Sequence, residues 1–150
     1  MDAAERSILK VLSKNARASL KQLAQGAFLS SPAVSARLDR LENRGIIESY
    51  QAHLNPPALG FHILAFVNIA ISAQGRQDFQ EFVQTCPNVL ECHHVTGSYS
   101  MIMKTAFPST KDLDTFVGHL QEYGSTQTQV VFSTVVEPRQ VMVETNENTK

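Results

Sequence analysis

The chain has 150 residues and a formal net charge of −1, which is enough length for one domain of ordinary size or for a small module plus a second domain. Two cysteines are too few for a disulfide framework, and the longest apolar run is well short of the roughly 20 residues that span a bilayer. Residues 1–60 carry eight Lys or Arg against five Asp or Glu, whereas residues 61–150 carry five against nine, so only the front part is expected to face a polyanion.

Three short helices are predicted in the front part. Apolar residues recur at helical spacing over residues 3–13, and Ser19 is a suitable cap for a second helix. A third helix starts beside Pro32, because proline in a first turn lacks only an N–H that would be unpaired there anyway. It is expected to run to about Arg44 and to stop at Gly45. The predicted core-facing residues of the three helices are Ile8, Leu9, Leu12, Leu20, Leu23, Ala24, Ala27, Val34, Leu38 and Leu41.

The back part has a different periodicity. The segment IIESYQAHL is predicted to be extended, and Asn55-Pro56-Pro57 marks a boundary because it cannot continue a helix or a central strand. Beyond it the pattern predicts a strand over 61–72, a helix over 76–85, strands over 89–96 and 99–107, a helix over 111–123 and a strand over 127–137. This β-α-β-β-α-β order is the ferredoxin-like plan, an antiparallel sheet with both helices on one face. A second copy of the sheet is the economical cover for its other face.

The expected fold class is therefore α+β, with an N-terminal winged helix-turn-helix followed by a ferredoxin-like domain. The predicted limits are a DNA-binding domain over residues 1–53, a linker over 54–60, the ferredoxin-like domain over 61–144 and a polar tail over 145–150. The first ten residues lack the basic start and apolar core of a secretory signal, so a cytoplasmic protein with no membrane partner is expected.

The last two front helices, joined by a tight turn, predict a helix-turn-helix whose second member enters the major groove of double-stranded DNA. Three arginines of the third helix fall on one side of it, where phosphates would offset their mutual repulsion. The alternative is a solvated helix rim, partly neutralised by Asp39 and Glu42. The side chains that would lead into the groove are short, so DNA shape is expected to contribute to specificity. The predicted DNA-binding residues are Arg17, Lys21, Ser30, Ser31, Ala33, Ser35, Ala36, Arg37, Arg40 and Arg44.

A family resemblance rests on motifs in both halves. The front half has Arg17, Leu29-Ser30, Arg37, Leu41-Glu42, Gly45 with Ile47, Tyr50 and Leu59-Gly60, and the back half has Val89, Glu91-Cys92, Val95-Thr96-Gly97 and Lys104. In this order and spacing, residues 2–137 resemble the Lrp/AsnC, or feast/famine, transcriptional regulators.

The resemblance implies that the second domain senses a small molecule and assembles the protein. Members pair sheet against sheet as homodimers, which commonly form rings of four dimers, and they bind amino acids near the loop between the second and third strands. An amino acid is thus the expected effector, and no other cofactor is expected. Many members have acidic residues where Ser98 and Ser100 stand here, so the identity of the effector is left open. The expected effector-binding residues are Thr96, Gly97, Ser98, Tyr99 and Ser100.

The stretch ECHHVTGSYSMIMK invites a metal or thiol interpretation, which strand geometry disfavours. Neighbours in a strand point to opposite faces, so Cys92 and His94 share one side and His93 points away. No second motif with ligand spacing is present, and no base or oxyanion hole is evident beside Cys92. Cys92 and His94 are therefore expected to be packing residues, with no metal and no catalytic residue.

Two other classes of function are weighed against a ligand-modulated regulator. A nucleoid-type architectural protein would bind DNA with little sequence or ligand dependence. An enzyme or its regulatory subunit would leave the basic first 60 residues unexplained, and the sequence contains no acid/base pair or phosphate-binding loop to support it.

Overall fold

The computed structural model describes residues 1–141, in which helices and four strands follow one another in two groups. The elements are α1 (Ala3–Leu12), α2 (Leu20–Ala27), α3 (Ser31–Asn43), a one-turn 3-10 helix (Pro57–Leu59), β1 (Ile63–Ile71), α4 (Arg76–Gln84), β2 (Val89–His94), β3 (Met101–Phe107), α5 (Thr110–Leu120) and β4 (Gly124–Val130). None of the helices in this part of the chain is long and apolar enough to cross a membrane.

The chain separates into two compact units. Among the described residues, one is formed by Met1–His53 together with residues 136–141, and the other by Leu54–Val135. The second unit begins where the predicted linker begins, but the predicted domain limits themselves stay predictions. The predicted polar tail, residues 145–150, lies outside the described residues.

The helix ends of the first unit follow from local hydrogen bonding. Asp2 caps α1 and Ser19 caps α2, each in a reciprocal capping box. Ser30 caps α3 by accepting from the Ala33 N–H at 3.4 Å. Gly45, at φ 64°, ends α3 in a left-handed conformation that suits glycine, and its N–H donates to the Glu42 carbonyl at 2.9 Å. The predicted start and stop of the third helix are confirmed.

The three helices of the first unit close on a small core. Its buried members are Ile8, Leu9, Leu23, Ala24, Ala27, Val34 and Leu41, all of which were predicted to face inward. Leu12 and Leu38 are half-buried against this core. The prediction for Leu20 is wrong: its side chain is 43% exposed, because it is the first residue of α2 and stands at the rim of the core.

The second unit is a four-stranded antiparallel sheet in the order β2-β3-β1-β4. This order is the ferredoxin-like arrangement that the alternation of elements predicted. One face of β1 and β3 packs against α4 and α5 around Phe79, Met103 and Leu120, which are completely buried. The connection from β2 to β3 therefore emerges at one end of the sheet, which is where the effector-binding residues were expected.

The last strand differs from its prediction. The sequence placed it at residues 127–137, whereas β4 covers Gly124–Val130 and pairs with β1 from Ile71 to Ala65. Pairing starts early because Gly124 has no side chain to collide with the Ala70 carbonyl group. The regular ladder ends with the pair of Val130 and Ala65, followed by one more hydrogen bond from the Val131 N–H to the Leu64 carbonyl at 2.8 Å. The apolar residues that suggested a later strand are left uncovered, with Phe132 100% exposed and Val135 94% exposed.

The other face of the sheet has no cover within the second unit. Phe66 pairs with Lys104 and Gln129 on this face, and Ile102 lies beside them on β3. Phe66 and Ile102 are half-buried only by their neighbours in the sheet. An apolar sheet centre in this condition is typical of a surface that another sheet covers.

Candidate DNA interface and effector loop

The turn between α2 and α3 shapes the surface on which the predicted DNA contacts lie. Phe28 closes α2 in a left-handed conformation, and the chain then enters α3 through Leu29 and Ser30. Beside the turn is a shallow concavity of about 790 Å³, lined by Lys21, Ala24, Gln25, Phe28, Leu29, Ser30, Ser31 and Ala33. The lining is mainly apolar, with Lys21 as its one basic residue, and the concavity lies at the start of the predicted recognition helix, where a helix-turn-helix meets DNA.

The predicted DNA contacts divide by exposure. Arg17, Lys21, Ser30 and Ala36 are exposed, and Ser31, Ala33 and Ser35 are partly covered. The α3 N-terminus therefore presents only short side chains, so a DNA strand can approach the helix backbone closely. Each of these residues stays a predicted contact.

Arg37 and Arg40 of α3, and Arg44 just after it, face acidic residues at the start of α1. Arg37 pairs with Asp2 and is only 21% exposed, whereas Arg40 and Arg44 approach the Glu5 carboxylate at 3.9 and 3.8 Å and are 60% and 51% exposed. These arginines are therefore neither unpaired on a DNA-facing surface nor fully solvated, because each has an acidic neighbour. Arg40 and Arg44 retain enough exposure to reach a phosphate.

Asp2 and Glu5 are held in place by more than these arginines. Their reciprocal bonds join the Asp2 N–H to Glu5 at 3.0 Å and the Glu5 N–H to Asp2 at 2.8 Å. The Glu5 residue is 4% exposed. The hydrogen bond from the Arg37 guanidinium, together with that from the Glu5 backbone, holds the pKa of Asp2 below its usual value. The acidic start of α1 is thus a fixed partner of α3.

The segment after α3 was predicted to be extended, and it pairs with no strand in the described part of the chain. Tyr50 ties it to α3 instead, because its hydroxyl donates to a Glu42 carboxylate oxygen at 2.8 Å. Partial burial and this carboxylate raise the pKa of the Tyr50 phenol to about 12. The segment after α3, where a wing would lie, is therefore tethered to α3 through Tyr50.

An alkaline titration is expected to detect this tether. A phenol whose pKa is raised by folding stabilises the fold fully below its ordinary pKa of about 10, and that contribution is lost as the pH rises through 12. Phenolate absorbance after a rapid pH jump should show one of the three tyrosines titrating near 12. Tyr50→Phe should lack that step, and an unchanged alkaline limb in Tyr50→Phe would contradict the assignment.

The loop after β2 contains the five residues expected to bind an effector. Thr96, Gly97 and Ser98 are exposed, and Gly97 has a φ of 115°, which favours glycine. Ser100 is used differently: its hydroxyl accepts from the Ile71 N–H at 3.0 Å and donates to the Ile69 carbonyl at 3.3 Å. The loop is therefore fastened to the end of β1 at Ser100 and open at Thr96, Gly97 and Ser98.

The residues of the ECHH stretch separate onto two faces, as strand alternation predicted. Cys92 pairs with Met103 and packs on the helix-covered core, and burial raises the pKa of its thiol. His93 points to the other face, where its Nε2 lies 3.4 Å from Glu91. The prediction that His94 packs inside is wrong, because His94 is the last residue of β2 and is exposed. Within residues 1–141, no three His, Cys, Asp or Glu side chains cluster closely enough for a metal ion.

Glu91 joins His93 to the neighbouring strand. Its second carboxylate oxygen lies 3.3 Å from the Lys104 Nζ. Burial raises the pKa of Glu91, but the hydrogen bonds from His93 and Lys104 outweigh it and hold the pKa below its usual value. These polar groups rim the uncovered sheet face, so its apolar centre has a charged border.

Both units match known families. The Lrp/AsnC ligand binding domain family matches residues 64–141, and a winged helix-turn-helix DNA-binding family matches residues 1–48. The transcriptional regulator LrpA of Bacillus subtilis is 33% identical over 132 residues, covering 87% of this chain and 97% of the relative. The leucine-responsive regulatory protein of Escherichia coli is 31% identical over 152 residues, covering 97% of this chain and 93% of the relative.

Solved structures agree with these sequence relatives. LrpC of Bacillus subtilis superposes with a TM-score of 0.87 at 27% identity, covering 92% of this chain and 99% of that one. A transcriptional regulator of Neisseria meningitidis in complex with L-Met has a TM-score of 0.86 at 28% identity, covering 91% and 93%. A basic winged helix-turn-helix joined to a ligand-binding α+β domain defines a DNA-binding transcriptional regulator. The chain belongs to the Lrp/AsnC family of such regulators.

Proposed function

We propose that this regulator binds its operators as a sheet-paired homodimer and that an amino acid or related metabolite modulates its assembly or its DNA binding. The observation that carries the proposal is that one chain combines two open surfaces, the short-side-chained start of α3 and the uncovered sheet face around Phe66 and Ile102. The first surface suits a major groove, and the second suits a second copy of the chain.

Pairing through the sheets would place two helix-turn-helix units in one particle. Such a dimer recognises two half-sites one DNA turn (about 34 Å) or a multiple apart. The exposed Phe132 and Val135, which follow β4, add apolar surface that a partner chain would cover. Further assembly of four dimers into an octamer is the extension that the family suggests for this chain.

The effector is proposed to bind at the loop of Thr96, Gly97 and Ser98, next to the anchored Ser100. The Gly97 backbone permits a close approach of a carboxylate to N–H groups, and neighbouring hydroxyls orient the rest of the molecule. The L-Met complex of the related Neisseria meningitidis regulator supports an amino acid as the class of ligand. By linkage, a ligand that alters DNA affinity must bind free and DNA-bound protein differently.

Removing the positive charges of Arg40 and Arg44, at the C-terminal end of α3, is expected to weaken DNA binding in a salt-dependent way. The slope of log affinity against log salt changes by about 0.9 for each phosphate that a protein neutralises, so Arg40→Ala with Arg44→Ala should flatten it by up to about 2 per helix-turn-helix unit. The matched control is Arg76→Ala with Lys111→Ala, which removes two positive charges from the other unit. Equal slopes for the two double variants would exclude these arginines from the DNA interface.

The first functional experiment is a gel-shift titration on the DNA upstream of this protein's own gene, with and without a pool of the twenty amino acids. Tight binding that the pool alters is the expected result, and splitting the pool then identifies the effector. Tight binding that the pool leaves unchanged would contradict the proposed modulation. A preference below about tenfold over random DNA would favour the architectural alternative, since specific regulators usually prefer their sites by 10³ or more.

A further inference from the structure

Phe28 occupies a backbone conformation that its side chain disfavours. It has φ 55° and ψ 45°, and it is the one non-glycine residue with positive φ among residues 1–141. L-residues rarely adopt this left-handed conformation, which glycine enters freely and which commonly closes a helix. The backbone conformation at this position therefore disfavours phenylalanine relative to glycine.

Packing within the unit does not compensate for this strain. The Phe28 side chain is 95% exposed, whereas the core below it is closed by Leu23, Ala24 and Ala27. An exposed phenyl ring gains nothing from burial in the folded chain. The benefit of the ring must therefore come from something that the unit binds.

The neighbours of Phe28 identify that ligand. The ring lines the concavity that also contains Lys21, Ser30 and Ala33, at the entrance to α3. This is the surface on which a helix-turn-helix meets DNA. A phenyl ring carries neither charge nor a hydrogen-bond donor, so phosphate is not its partner. The apolar group that DNA displays in the major groove is the C5-methyl of thymine.

We propose that Phe28 is a specificity-determining residue that contacts a thymine methyl group in each operator half-site. The proposal rests on operator binding by the helix-turn-helix and adds to it a preference at one base pair. Two large apolar residues line this surface, and Phe28 is the fully exposed one, because Leu29 is partly buried against the core. It complements the short side chains of α3, which offer few base contacts of their own.

A thymine-to-deoxyuridine scan tests the contact directly, because deoxyuridine lacks only the methyl group. The operator is first selected from a randomised DNA pool with the unaltered full-length protein. Affinities of the unaltered protein and of Phe28→Ala are then measured by fluorescence anisotropy on duplexes substituted at single thymines. At one position per half-site, replacing thymine by deoxyuridine should lower the DNA affinity of the unaltered protein about fourfold, which is the ratio expected for the burial of one methyl group. The affinity of Phe28→Ala should be the same with thymine and with deoxyuridine at that position.

A second variant separates binding from folding. Phe28→Gly should raise the thermal unfolding midpoint, because glycine accepts φ 55° without strain, while showing the same loss of the thymine preference. A variant that is more stable yet less selective cannot owe its defect to misfolding. Thymines outside the footprint serve as the DNA control.

Failure of this inference is distinguishable from failure of the proposed function. Selection of no operator by the unaltered protein would overturn both. Specific binding with identical deoxyuridine profiles in the unaltered protein and Phe28→Ala would overturn the role of Phe28 alone. An equal loss of affinity on operator and random DNA would also overturn it, since that result places the ring on the sugar-phosphate backbone.

Discussion

Replacing Phe66 by aspartate is expected to turn the proposed sheet-paired dimer into monomers. Phe66 lies near the centre of the uncovered sheet face, opposite Lys104 and Gln129. A carboxylate there would lose its water when two sheets meet, and the one adjacent cation, Lys104, is already paired with Glu91 at 3.3 Å. Sedimentation should show the loss of the dimer. Operator affinity should fall by about 10²–10⁴, because two linked recognition units gain that much over one.

The matched control is Phe66→Leu, which keeps an apolar side chain at the same place. It should remain dimeric and should bind the operator nearly as the unaltered protein does. Circular dichroism on both variants checks that the chain itself stays folded, since Phe66 is only half-buried in one chain. If Phe66→Asp is still a dimer at micromolar concentration, this sheet face is not the dimer interface.

Adding one methyl group at Gly124 is expected to destabilise the second unit severely. A Cβ built there would lie 2.0 Å from the Ala70 carbonyl oxygen and 3.0 Å from its carbon. These are backbone atoms of β1, which cannot rotate away, so β4 must separate from β1 at this end. Overpacking in a close-packed site costs about 1–3 kcal/mol, and a backbone obstacle puts Gly124→Ala at or above the upper end.

Gly118→Ala makes the same chemical change as Gly124→Ala, but it is expected to raise the stability rather than lower it. Gly118 is in the last turn of α5, and no atom outside the backbone of its own helix lies within 4 Å of an added Cβ, so alanine should stabilise the helix by up to about 0.5–1 kcal/mol. Urea unfolding of both variants at one protein concentration measures the difference in midpoint. Similar midpoints for the two variants would refute the assignment of Gly124 as a contact point of the β1–β4 ladder.

The fold could be predicted from the sequence wherever a local pattern determines the structure. Helix caps such as Ser19 and stops such as Gly45 act within one turn, and apolar spacing selected the buried side of each helix. The position of β4 could not be found this way, because it depends on pairing with β1, a strand far earlier in the chain. The apolar residues after Val130 looked like a strand because their expected cover is another chain, which sequence periodicity cannot separate from burial within one chain.

In the candidate sites, too, features set by local sequence could be predicted, whereas features set by contacts between distant segments could not. The position of the effector loop followed from the order of the strands, but the anchoring of Ser100 to Ile69 and Ile71 depends on a distant strand end. Helical spacing placed the α3 arginines together and could not reveal that Asp2 and Glu5 face them, because that contact joins two helices. The exposure and backbone strain of Phe28 were likewise visible only in three dimensions.

The acidic start of α1 acts as an internal counter-ion for the recognition helix. If Arg40 and Arg44 contact phosphates as proposed, they reach DNA already partly neutralised by Glu5, and each phosphate takes the place of a carboxylate. Fewer salt ions would then be released on binding than the number of arginines implies, and binding to arbitrary DNA, which depends chiefly on that release, would be weaker. A larger share of the affinity would therefore have to come from the operator sequence.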